Sequence, residues 1–220
     1  MDDTVNTDIL TSLQRNVLVA LFSDPWFREH FYLTGGTALA AFYLKHRYSD
    51  DLDFFTHQNS LDSIPELMRM TADRLGLSVI ALQRSPGFLR YELNGELKVD
   101  FVVDVSFRVG EPASIDALMI DSMNNIAVNK VCAILGRLDA KDYVDLFFIQ
   151  KEHQFDIFEL LRLGQQKDTG LDPFVWASLI AEVAQLAILP RMIRTISLEE
   201  LISFSLKLRD DILDRIKPTH

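Results

Sequence analysis

Phe31-Tyr32-Leu33, then Gly35-Gly36-Thr37-Ala38-Leu39, then Asp51-Leu52-Asp53-Phe54-Phe55 is the stretch whose reading decides the fold. The first three residues predict a short strand and the glycine pair a turn. Thr37 opens a helix that runs through Ala38, Leu39, Ala40, Ala41 and Leu44. Asp51 to Thr56 predicts a second strand. Alternation along it puts Asp51 and Asp53 on one face and Leu52 and Phe54 on the other. Two carboxylates facing the same way repel each other in water, but a divalent cation reverses that, and hard oxygen ligands suit Mg²⁺. Gly35 and Gly36 let the backbone approach an anion closely. The N–H groups of the helix that follows point at it with a favourable dipole. A triphosphate tail suits that place.

Upstream, Ile9, Leu10, Leu13, Val17, Leu18 and Leu21 recur at helical spacing, predicting a helix from Thr7 to Ser23 that ends before Pro25. Downstream come a helix over Ile64 to Leu75 and strands near Leu77 to Gln83, Phe88 to Leu93 and Leu97 to Val105. Asn94-Gly95 is the hairpin signal between the last two. Alternation on the final strand puts Lys98, Asp100 and Asp104 on one face and Leu97, Val99, Phe101 and Val103 on the other. Asp100 is therefore the natural third carboxylate. If this strand lies beside the Asp51 strand, three carboxylates can share two ions and clamp the attacking and leaving oxygens of a phosphoryl transfer. After Ile120 the pattern turns helical: Asn124 to Leu135, Ala140 to Gln150, Phe155 to Gly164, Pro173 to Leu189 and Leu198 to Ile216. The expected fold class is α+β, a mixed sheet with flanking helices followed by a helical C-terminal part. The expected division is an α/β domain over residues 1–120 and a helical domain over 121–220.

With 220 residues, 48% of them hydrophobic, the chain can bury a sizeable core. Its apolar runs, such as Leu186-Ala187-Ile188-Leu189, are far shorter than the ~20 residues a membrane helix needs. The acidic start, Met1-Asp2-Asp3-Thr4, is unlike a secretory signal, so a cytoplasmic protein with no membrane partner is expected. The single Cys132 falls in an apolar helical pattern and reads as a buried core thiol. A net charge of -10 argues against broad non-specific nucleic-acid binding, although a local basic groove is enough for an RNA end.

Four motifs occur in a familiar order. They are Gly35-Gly36-Thr37-Ala38-Leu39, His46-Arg47-Tyr48-Ser49-Asp50-Asp51-Leu52-Asp53-Phe54-Phe55, Asn129-Lys130 with Arg137, and Lys141-Asp142-Tyr143-Val144-Asp145-Leu146. Together they resemble the AbiEii/AbiGii-type nucleotidyltransferase toxins of the polymerase-β-like superfamily, over residues 31–150. The resemblance implies a nucleotidyltransferase-like fold and transfer of a nucleoside monophosphate from an NTP to a hydroxyl acceptor, with pyrophosphate released. It implies Mg²⁺ (or Mn²⁺) at Asp51 and Asp53, and phosphates at Gly35 and Gly36. The start of the Thr37 helix joins that phosphate site from helix geometry, and Arg47 and Ser49 are assigned to it as well, Arg47 as a cation for the leaving pyrophosphate, although both could equally be loop residues that hold the Asp51 strand in place. The resemblance also implies a nucleotide contact from Lys130 and a catalytic or positioning role for Asp145, with the helical part thus contributing to the site. Asp100 enters from strand alternation, to complete the metal site or take the acceptor's proton. By the same resemblance the acceptor is RNA such as tRNA, and a cognate antitoxin is the partner in a toxin–antitoxin, abortive-infection or phage-defence pair.

Each piece also has an ordinary reading. Gly35-Gly36 alone is a tight turn, Asp51 and Asp53 a solvated strand face, Lys141 and Asp145 a surface ion pair, and Lys130 and Arg137 the wet side of a helix. Two rival functions follow. One keeps the fold without catalysis, as a nucleotide-binding or interaction protein. The other is a nucleotidyltransferase or phosphotransferase acting on a small molecule or protein.

Overall fold

The structure, a computed structural model, describes residues 9–217. The described residues form two compact units, the first from residues 9–43, 48–106 and 110–122, the second from 44–47, 107–109 and 123–217.

In the first unit, α1 (Ser12–Phe22) starts at a capping box. Thr11 Oγ1 accepts from Gln14 N, and Gln14 Oε1 accepts from Thr11 N. The expected start at Thr7 lies outside the described residues. Asp24 then caps a short α2 (Pro25–His30). Pro25 was expected to follow a helix end, and it also begins a new helix, where its missing N–H costs nothing.

Next come β1 (Phe31–Thr34) and α3 (Gly35–Ala38), which runs on as a π-helical stretch over Leu39–Leu44. The expected glycine turn is thus absorbed into the start of the helix. Gly35 leaves the strand at φ +69°, a backbone conformation natural to glycine, and the helical run follows directly. Then follow β2 (Leu52–Thr56), α4 (Ile64–Leu75), β3 (Val79–Ser85), β4 (Phe88–Leu93), β5 (Leu97–Val103), β6 (Ala113–Ile115) and β7 (Leu118–Ile120). Strands β6 and β7 have three residues each, too few to reveal alternation in the sequence.

The strands make one mixed sheet in the order β3-β4-β5-β2-β1-β7-β6. Strand β2 is antiparallel to β1 and parallel to β5, which puts Asp53 level with Thr34 on one side and with Asp100 on the other. The opposite face is the core. Phe54 and Phe101 stack with centroids 5.4 Å apart, Phe27 and Phe31 stack at 4.6 Å, and Phe22 meets Phe54 edge-on. All five rings are buried.

The second unit packs α5 (Met123–Gly136), α6 (Ala140–His153), α7 (Ile157–Lys167), α8 (Pro173–Ile180) and α9 (Leu198–Ile216). Two helices differ from expectation. Helix α7 begins at Ile157 because Asp156 is its cap, accepting from Phe158 N. The helix expected over Pro173–Leu189 stops at Ile180, passes through a 3₁₀ turn over Ala181–Gln185, and turns extended at Leu186. Pro190 disfavours helix in the residue before it, and Ile188 is exposed, so its burial does not favour a continued helix. Among the described residues no helix is long and apolar enough to cross a membrane.

Phe101→Ala removes the ring that closes the aromatic layer. It is expected to cost about 3–5 kcal/mol in urea denaturation followed by circular dichroism; a loss near zero would show that this layer is not the core of the sheet.

Candidate active site

Strand alternation and sheet register gather the site of the first unit. Leu52, Phe54 and Thr56 of β2 are buried, while Asp53 points to the other face. On that face a polar row crosses four strands: Arg90 in β4, Asp100 in β5, Asp53 in β2 and Thr34 in β1, each level with the next. Thr34 Oγ1 donates to Asp121 Oδ2 at 2.7 Å, so the row continues to the residue after β7.

Gly35 sits over Asp53. A β-carbon at 35 would collide with Asp53 Oδ2 and lie 3.1 Å from its Cγ, so a side chain here would displace the Asp53 carboxylate besides straining the left-handed φ. Thr37 Oγ1 donates to the main-chain oxygen of Asp51, tying the start of the helix to the carboxylate strand. Ser49 presents its carbonyl to Gln14 Nε2 at 2.8 Å, which fixes the approach to Asp51. The structure therefore brings together Gly35, Gly36, Thr37, Asp51, Asp53 and Asp100.

Asp100 is engaged already. Arg90 Nε donates to its Oδ1 at 2.7 Å and Nη2 to its Oδ2 at 2.5 Å, a bidentate pair. The hydrogen bonds to Asp100 raise the Arg90 pKa, and the charges of Asp100, Asp51 and Asp53 add to this against the cost of burial. Among the described residues no three His, Cys, Asp or Glu side chains converge into a ready-made metal cage. The donor set still fits a hard cation of the magnesium kind. Such ions are commonly held by one or two carboxylates with water and substrate phosphates completing the shell, and Asp51 and Asp53 are carboxylates of that kind.

The second unit contains a separate charged cluster. Asp145 takes a bidentate grip from Arg47, Nε at 2.6 Å and Nη2 at 2.8 Å, and His46 Nε2 lies 2.7 Å from its Oδ1. Lys130 Nζ lies 2.6 Å from Asp145 and 2.8 Å from Asp142, and Asp142 also accepts from Arg137 Nε at 2.7 Å. Arg47, Lys130, Asp142 and Asp145 are all buried. Burial alone would raise the Asp145 carboxyl, but Lys130, Arg47 and the bonds from Arg47 and His46 outweigh it and hold the pKa well below 3.8. Asp142 is likewise lowered: burial pushes its pKa up, and Lys130 and Arg137 outweigh it. Burial pushes His46 down, so a neutral ring must present Nε2–H to the carboxylate. Arg47 also bridges to Met192, and the His46 carbonyl accepts from Ile193 N at 2.9 Å and Arg194 N at 3.0 Å. Lys130, Arg47 and Asp145 thus lie together in one buried network. The expectation of an ordinary surface pair for Lys141 and Asp145, or of a wet helix face for Lys130, does not describe them.

The description "Nucleotidyl transferase AbiEii toxin, Type IV TA system" matches residues 16–216. The chain belongs to the AbiEii nucleotidyltransferase toxin family. An uncharacterised protein of Aquifex aeolicus is 35% identical over 145 residues, covering 64% of this chain and 68% of that protein. Among solved structures, a candidate nucleotidyltransferase from Helicobacter pylori superposes with a TM-score of 0.61 at 21% identity, over 94% of this chain and 96% of its own. JHP933, also from Helicobacter pylori, gives 0.57 at 23% identity, over 93% and 90%. These likenesses show the shared fold, and the family assignment makes the chain a nucleotidyltransferase.

The sequence reading did not single out Arg90, Thr34, Asp121 or the bond from His46 to Asp145. Arg90 had a usable signal in the Asn94-Gly95 hairpin, but a two-residue loop would have paired Leu93 with Glu96. The strands instead pair Leu93 with Leu97, which sets Arg90 opposite Asp100.

Asp145→Asn leaves Lys130 and Arg47 short of a buried counter-charge, a loss worth roughly 3–5 kcal/mol. Because the folded pKa is depressed, the stabilisation by Asp145 is complete above 3.8 and disappears as pH falls through the lower folded value. Urea denaturation should show the full deficit at neutral pH and a shrinking one below about pH 4. Equal stability of variant and parent at neutral pH would contradict the network's role.

Proposed function

We propose that this chain transfers a nucleoside monophosphate from an NTP to a hydroxyl acceptor on RNA, such as tRNA, as the toxin of a toxin–antitoxin or phage-defence pair with a cognate antitoxin. The observation that carries this reading is the packing of Gly35 onto the carboxylate of Asp53, with Thr37 bonded to the backbone of Asp51. A glycine-opened helix start beside the Asp53 carboxylate and the Asp51 backbone supports a phosphate approach next to a hard-cation site.

In this reading the acceptor oxygen bonds to the α-phosphorus while the bond from that phosphorus to pyrophosphate breaks. The hydroxyl proton leaves to a carboxylate of the row or to solvent. Gly35, Gly36 and Thr37 hold the β- and γ-phosphates through main-chain N–H groups. Asp51 and Asp53 would hold Mg²⁺ or Mn²⁺, which when bound would neutralise charge on the triphosphate and polarise its phosphoryl oxygens. Asp100 completes that site or takes the proton, and either role requires it to part from Arg90. Lys130, Asp145 and Arg47 act by holding the second unit's network, and Ser49 by fixing the chain ahead of Asp51. Most of the rate then comes from positioning and electrostatics.

Incubation with each α-labelled NTP, Mg²⁺ and total cellular RNA tests this reading. Label should pass to RNA with the parent protein and fall by at least about a hundredfold with Asp53→Ala. Label on protein or on small molecules would replace the RNA acceptor. NTP binding without turnover would replace the catalytic reading with a binding one.

A further inference from the structure

Arg90 carries a role that none of the four motifs contains. Its guanidinium takes both oxygens of Asp100, a side chain 8% exposed, while its own side chain is 38% exposed and lies over the Phe88 ring at 5.3 Å. Asp100 is level with Asp53 on the neighbouring strand, so the row holds like charges side by side, with Arg90 at its end. A buried, unpaired Asp100 next to Asp53 would be costly, and the bidentate grip removes that cost.

A divalent cation draws on the same two oxygens and is repelled by the same guanidinium, so the grip opposes metal ligation by Asp100. We propose that Arg90 is a built-in counter-cation for the carboxylate row, a positioning residue that gives up Asp100 when a divalent cation binds; this rests on the metal-dependent reading above. Its half-open position gives the guanidinium somewhere to go. A long, flexible side chain with one face in solvent can swing off β4 without disturbing the strand pairing. Arg90 thereby holds Asp100 oriented before the cation arrives, and it sets the affinity for that cation lower than the carboxylate row would have without it.

The test is a titration of the full chain with Mn²⁺ alone, free ion being read by its electron paramagnetic resonance signal, with no nucleotide present. Parent, Arg90→Gln, Arg90→Lys and the double variant Arg90→Gln/Asp100→Asn are compared, with folding checked by circular dichroism. Arg90→Gln should bind Mn²⁺ about tenfold more tightly than the parent. The double variant should lose that gain. Arg90→Lys, which keeps the charge but cannot grip both oxygens, should fall between, and it serves if Arg90→Gln does not fold. The melting temperature should rise with Mn²⁺ more in Arg90→Gln than in the parent. Mn²⁺ bound by the parent with equal or weaker affinity in the Arg90 variants would overturn the counter-cation role and leave the metal-dependent reading standing. Mn²⁺ bound by neither parent nor any variant would overturn that reading itself.

Discussion

A β-carbon at Gly35 would strike the carboxylate of Asp53 and force it to shift, and that close approach ties the glycine backbone to the carboxylate row. The strand β1 must end there, the chain must turn through a left-handed residue, and a helix must begin at once. Pairing of β1 with β2 puts Thr34 level with Asp53, and pairing of β2 with β5 puts Asp53 level with Asp100. One close approach thus fixes the glycine backbone, the helix start and the carboxylate row in a single frame. Behind the row, the rings of Phe27, Phe54 and Phe101 supply the apolar face that keeps the register from slipping, since a one-residue shift would bury the acids and expose the rings.

The two units handle charge in different ways. In the first, carboxylates are gathered on one face of a sheet, and one arginine at 38% side-chain exposure offsets them. On the proposed reading, that arrangement takes up a further cation. In the second, Lys130 and Arg47 lie with Asp142 and Asp145 in a buried network. A network of that kind gives geometric definition and resists titration, because each group's charged form is favoured by its neighbours. A Lys or an Asp in a motif can therefore serve the reaction by holding a frame, without touching substrate.

Much of the fold was legible because β2 and β4 obey period two and because α4, α7 and α9 have clear apolar faces. The limits were physical. Strands of three residues, such as Leu118–Ile120, carry no periodic signal. Pro25 can end one helix or begin another, and only Asp24 accepting from Phe27 N decides between them. Helix α8 ends at Ile180 and the chain turns extended at Leu186, four residues before Pro190, which an apolar run alone does not disclose. Within the site, the local motif Asp51-Leu52-Asp53 could be read directly. The partner of Asp100 could not, because it depends on hairpin register, where one residue reverses the face. Nor could the burial of Lys130, since a lysine in a helical pattern normally faces water.

The central claim is that the Asp51–Asp53 carboxylates and the Gly35–Gly36 backbone form one nucleotide site. It is tested most directly by crystals grown with Mn²⁺ and an NTP whose α–β bridge cannot be cleaved, the metal being located by anomalous scattering. The account predicts a Mn²⁺ peak at about 2.2 Å from oxygens of both Asp51 and Asp53, with triphosphate oxygens against the main chain of Gly35 and Gly36. A metal or triphosphate bound elsewhere, with Asp51 and Asp53 contacting neither, would contradict it.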